Sequence, residues 1–89
     1  MGKFRIEIDD DAKLDIAKIY KSGDRASIKK LEKIVLELEI HPTTGTGNPE
    51  LLKHNLSGFW SRRIDKEHRF IYEIDNNIVF VYSLKGHYN

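Results

Sequence analysis

The chain has 89 residues, room for one domain spanning 1–89, and its 39% hydrophobic and 33% charged content is that of a globular fold rather than a disordered or fibrous one. Zero cysteine excludes disulfides, thiolate metal sites and cysteine nucleophiles, and fits a reducing compartment. Fifteen Lys and Arg against fourteen Asp and Glu leave a formal charge of +1, which by itself predicts no polyanion partner, and the chain lacks the clustered Lys and Arg of a basic stripe, so any nucleic-acid site has to be a local pocket.

Lys3 to Ile8 alternates, with Phe4, Ile6 and Ile8 on one side and Arg5 and Glu7 on the other, the pattern of a half-buried strand. Asp9, Asp10 and Asp11 follow before any apolar stretch of signal-peptide length, and no run approaches the ~18 apolar residues of a membrane span. A cytoplasmic location, away from membranes, is the expectation. The same acidic cluster caps a helix through about Lys21, with Ala12, Ile16, Ile19 and Tyr20 at helical spacing and Ser22-Gly23 ending it. Asp24 caps a second helix in which Ile28, Leu31, Val35 and Leu38 face inward and Lys29, Lys30, Lys33 and Glu37 face outward.

His41 to Asn48, with Pro42, Gly45 and Gly47, is a loop. Beyond Leu56 the period becomes two: Phe59–Ile64, His68–Ile74 and Ile78–Leu84 are expected strands, joined by turns at 65–67 and 75–77 as an antiparallel meander. Strand, two helices, then three strands is an α+β order, with a helical hairpin packed on a small, mostly antiparallel sheet. Matching aromatic faces puts Phe70, Tyr72, Phe80, Tyr82 and Leu84 toward the helices. Arg69, Lys85 and His87 then share the open face, provided the last strand carries no bulge.

Taken singly, these residues have plain readings. Arg69 is a surface ion-pair partner, His87 a solvated histidine, Trp60 core or rim, and Glu50 with Lys53 an i, i+3 pair of a helical turn. Gly45-Thr46-Gly47 lacks the Lys-Ser or Lys-Thr of a phosphate loop, and the four histidines have no metal-ligand spacing, so neither a cofactor nor a metal is expected. Together, a carboxylate, an imidazole, guanidiniums and lysines form the set that cleaves RNA without a metal: a base for the 2'-hydroxyl, cations for the phosphate, an acid for the departing 5'-oxygen.

The stretch Asn48 to Tyr72, NPELLKHNLSGFWSRRIDKEHRFIY, followed by His87-Tyr88, resembles the YoeB (Txe) family of the RelE superfamily of toxin–antitoxin modules. The resemblance implies a RelE-like fold and a ribosome-dependent mRNA endonuclease, or mRNA interferase, acting in the A site of the 70S ribosome and inhibiting translation. It also implies inhibition by a cognate YefM/Axe-like antitoxin, and it makes a homodimer plausible. Carried over by position, it makes Glu50 the general base, His87 the general acid and Arg69 the phosphate-stabilising arginine. Lys53 falls near the scissile phosphate, Tyr88 holds the substrate nucleotide, and Arg62 and Arg63 become RNA or ribosome contacts. Lys85 joins the substrate-binding set from the open face. The chain departs from the family pattern at Lys85-Gly86, where an Arg and a larger residue are usual, and in Asn89 after the tyrosine. The competing readings are a binding toxin of the same superfamily, blocking the ribosome or gyrase without cutting, and a partner on which the antitoxin folds for promoter autoregulation.

Overall fold

Alternation makes β1, Arg5–Ile8, a strand with Ile6 and Ile8 half-buried. The computed structural model that shows this describes residues 3–85, Lys85 by its backbone alone. Helix α1, Asp10–Ser22, begins where the Asp9 carboxylate accepts the Asp11 amide at 3.2 Å and ends at Gly23, whose φ of 72° is a left-handed cap. Helix α2, Arg25–Leu38, begins at Asp24, which accepts the Ser27 amide at 3.3 Å. Neither helix is long and apolar enough to cross a membrane.

After the loop come β2 (Glu50–Leu51), a single 3-10 turn at His54–Leu56, β3 (Phe59–Arg63), β4 (His68–Asp75) and β5 (Ile78–Lys85). The strands form one sheet in the order β1-β5-β4-β3-β2. Only β1 and β5 run parallel; the other neighbours are antiparallel. The expected architecture, a helical pair on a small and mostly antiparallel sheet, is the one found. The two-residue β2 was not anticipated: it is too short to show a period of its own.

The helices cover one face. Ala12 and Ile19 of α1 and Leu31, Ile34 and Leu38 of α2 pack with Phe70, Tyr72, Val79, Val81 and Leu84 into one core. Asp15 of α1, itself buried, accepts the Leu84 amide at 3.2 Å and ties the helix to β5. The β3–β4 turn is tied to α2 in a similar way. Asp65 accepts the amides of Glu67 and His68, both at 2.8 Å, and the Ser27 hydroxyl at 2.8 Å, with His68 Nδ1 2.9 Å away.

The face expected of β5 is corrected. Val79 and Val81 point to the helices, beside Ile6 and Ile8 of the paired β1, while Phe80 and Tyr82 point away. Tyr72 pairs with Val81 but its neighbour Ile71 pairs with Ser83, so Tyr82 is an extra residue that flips the alternation and brings Leu84 inward. The physical reason is polar satisfaction: 39% exposed on the open face, Tyr82 donates its hydroxyl to Glu73 at 2.8 Å and sets its ring edge-on to Phe59 at 5.4 Å.

Candidate active site

The open face is assembled by register. Glu50 pairs with Ser61, Ser61 with Ile71, and Arg63 with Arg69, so these side chains emerge on the side away from the helices. Glu50 and Arg69, 19 positions apart in the sequence, thus line one cavity of about 430 Å³ together with Lys30, Gly47, Asn48 and Arg63. Glu50 also borders a second cavity, of about 390 Å³, which runs along residues 50–56 and includes Lys53. Glu50 and Lys53 do not share a helical turn. Glu50 is in β2, and Lys53 precedes the 3-10 turn in extended conformation, with φ −124° and ψ 175°. The reason is pairing: β3 holds residues 50–51 as a strand, with the Leu52 amide bonded to the Phe59 carbonyl at 2.8 Å.

Of the remaining expected site residues, Lys85 is described only by its backbone, which pairs with His68. His87 and Tyr88 lie outside the described residues.

Arg62 requires a correction. It is expected as an RNA or ribosome contact, yet it is 0% exposed and turned toward the helices, opposite the buried Phe70. All five of its N–H groups are engaged. Nη1 donates to Glu37 Oε1 at 2.7 Å and to the Thr46 carbonyl at 3.3 Å, Nη2 to the carbonyls of His41 at 2.8 Å and Thr44 at 2.6 Å, and Nε to the Tyr72 hydroxyl at 3.1 Å. The Tyr72 hydroxyl in turn donates a hydrogen bond to the Pro42 carbonyl at 2.6 Å. The guanidinium is therefore the hub around which the loop 41–48 is wound, and that loop delivers Glu50 to the sheet edge.

Glu37, expected outward on α2, is the acidic end of this hub. Its side chain is only 16% exposed, and it also accepts the Thr46 amide and hydroxyl, both at 2.7 Å. Two signals pointed here: Arg62 alternates in phase with Trp60 and Ile64, and Glu37 lies three residues from Ile34 on the buried stripe. The loop is closed at Gly47, whose carbonyl accepts the Arg63 amide at 2.7 Å. A Cβ there would sit 2.6 Å from the Arg63 carbonyl oxygen on a backbone with φ +85°, so only glycine fits.

Burial alone would raise the Glu37 carboxyl, but hydrogen bonds from Thr46 and Arg62 and the Arg62 charge outweigh it and hold the group below its ordinary 4.5. Asp65 is likewise lowered from 3.8, burial being outweighed by bonds from Ser27, Glu67 and His68. A carboxyl lowered on folding stabilises the fold fully above its unfolded value, and that contribution is lost as pH falls through the lowered folded value. Urea midpoints measured from neutral pH downward should therefore hold steady to near pH 4.5 and then fall. Glu37→Gln should give a lower plateau and a shallower acid limb; an unchanged limb would deny Glu37 this role.

A mixed five-stranded sheet covered on one face by a helical pair is the architecture of the RelE-like toxins. The dimeric YoeB of Staphylococcus aureus superposes with a TM-score of 0.78 at 34% identity, covering 97% of this chain and 99% of that one. YoeB in the S. aureus heterotetrameric YoeB-YefM complex gives 0.76 at 35% identity, covering 96% and 98%. A toxin YoeB of Escherichia coli (strain CFT073) is 41% identical over 69 residues, 78% of this chain and 82% of its own. Residues 10–88 match the family described as YoeB-like toxin of bacterial type II toxin-antitoxin system, and the chain belongs to that family.

Proposed function

We propose that this toxin is a ribosome-dependent endoribonuclease that cuts mRNA in the ribosomal A site and so inhibits translation in the cytoplasm. The observation that carries this reading is the convergence of Glu50 and Arg69, from β2 and β4, on one cavity of the open sheet face. A carboxylate beside a guanidinium suits attack of a 2'-hydroxyl on the adjacent phosphate. Glu50 takes the proton, and Arg69 offers paired N–H donors to the oxygens that gain charge. Lys53, in the neighbouring cavity, adds positive charge that lowers the hydroxyl's own pKa. By family resemblance His87 protonates the departing 5'-oxygen and Tyr88 holds the nucleotide, with Lys85 as a further cation. These side chains supply the acid, the base and the charge, so the proposed route is metal-independent and takes no cofactor.

The same reading gives the chain a YefM-like antitoxin as partner and a homodimer as an available assembly, as in the S. aureus relatives. The antitoxin is proposed to cover or distort the Arg69 face.

The test is to map mRNA ends on purified translating ribosomes with the native chain and with His87→Gln, beside naked mRNA. Cuts confined to the A-site codon, requiring ribosomes and lost with His87→Gln, are expected. Arrested translation with intact mRNA would make the protein a binding inhibitor.

A further inference from the structure

Helix α2 carries Lys29, Lys30 and Lys33, of which Lys29 and Lys33 are exposed and Lys30 is half-buried. Its place on the helix explains the difference. Lys30 lies one turn before the buried Ile34, and Ile34 Cδ1 together with the Arg63 backbone would crowd any side chain at Gly47, at 3.2 Å and 2.6 Å. Helix, loop and β3 meet at that glycine. Lys30, one turn away, therefore reaches round the end of the sheet into the cavity that holds Glu50, Arg63 and Arg69.

The charge there exceeds what the proposed chemistry uses. Three cations and one carboxylate line the cavity, and among the described residues neither the Lys30 ammonium nor the Arg63 guanidinium has a hydrogen-bond or ion-pair partner. A scissile phosphodiester brings one negative charge, for which Arg69 suffices. A single strand brings its next phosphate with it.

We propose that Lys30 and Arg63 form a second phosphate subsite, which binds the phosphodiester adjacent to the scissile one and sets the register of the strand across Glu50. This deepens the ribonuclease reading and rests on it for the choice of RNA over another polyphosphate. Arg63, on β3, offers a planar fork to two oxygens, while Lys30, on α2, adds a point charge to the same cavity. An acidic protein segment is the competing occupant, and the test separates the two.

The probe is a ten-nucleotide oligodeoxyribonucleotide, which lacks the 2'-hydroxyl and is not cut by the proposed route. Its affinity is measured across salt concentrations for the native chain, Lys30→Gln and Lys33→Gln. Lys30→Gln should weaken binding about three- to tenfold at low salt and flatten the log–log salt slope by about 0.7, the share of one phosphate contact on a single strand. Lys33→Gln should match the native chain. Equal effects of the two substitutions, no binding by the native chain, or Lys30-dependent binding of a glutamate-rich peptide but not of the oligonucleotide would each overturn the subsite. Ribosomal cleavage measured in parallel separates the two readings. Lys30-dependent binding without any cleavage by the native chain removes the ribonuclease and keeps the subsite; native cleavage with Lys30→Gln indistinguishable in both assays does the reverse.

Discussion

Arg62→Ala should lower the unfolding free energy by about 3–5 kcal/mol, the usual cost of removing one partner from a buried charged pair. The expectation rests on what the substitution strands. Glu37 would keep a largely buried carboxylate, Tyr72 would lose the donor to its hydroxyl oxygen, and the carbonyls of His41, Thr44 and Thr46 would each lose a donor. Small domains have a total stability of ~5–15 kcal/mol, so much of the margin would go. Arg62→Lys should rescue only part of it, because an ammonium has three donors and no planar fork to span a carboxylate and several carbonyls. The neighbouring Arg63→Ala is the control: its side chain is exposed, and the change should stay within about 0.5 kcal/mol. Urea denaturation of the three variants decides the matter. Equal, small losses at 62 and 63 would mean that the buried hub does not hold the fold.

The second large effect is on chemistry. Glu50→Gln should reduce cleavage of ribosome-bound mRNA by about 10²–10⁴-fold, the contribution of a positioned general base. Binding to ribosomes and the urea midpoint should change little, because the Glu50 side chain is exposed and its strand is held by backbone pairing with β3. A carboxylate is a weak base for a ribose hydroxyl. The proposed site answers this by placing Arg69 and Lys53 in the flanking cavities, where positive charge favours the alkoxide. Cleavage within a few-fold of native would put the base elsewhere. Lost ribosome binding would make Glu50 a docking residue.

The two outcomes also separate two functions of one segment. The loop 41–48 is fixed from below by the guanidinium of Arg62 and closed by the contact of Gly47 with the Arg63 backbone, and Glu50 follows two residues later. Damage at Arg62 should therefore appear first as instability and damage at Glu50 as lost turnover with the fold intact.

Much of this arrangement was legible in the chain. The alternation of β1, β3 and β4, the aspartates at 9 and 24 that cap both helices, and the turns at 65–67 and 75–77 rest on local rules, and each element is found within a residue or two. The resemblance carried by residues 48–72 named the family. What misled was the assumption that aromatic faces align. Parity along β5 reverses at Tyr82, and a bulge is a relation between two strands that one strand's composition does not announce. Arg62 misled for a related reason: a pair of adjacent arginines reads as surface charge until each is assigned to its side of the sheet.

By itself the sequence determined both helices and the four longer strands, their order, the α+β class and the kinship, because capping, periodicity and turn chemistry act over a few residues and motifs are read residue by residue. Only the tertiary structure decided that Glu50 lies on a strand rather than a helical turn, that Arg62 is a buried hub while Arg63 and Lys30 face the cavity, and that Val79 and Val81 rather than Phe80 and Tyr82 meet the helices. Those outcomes depend on pairing register and on where a buried charge finds its partners. Glu37 and Arg62 are 25 positions apart in the chain, and no local pattern joins two residues across that distance until the fold has brought them together.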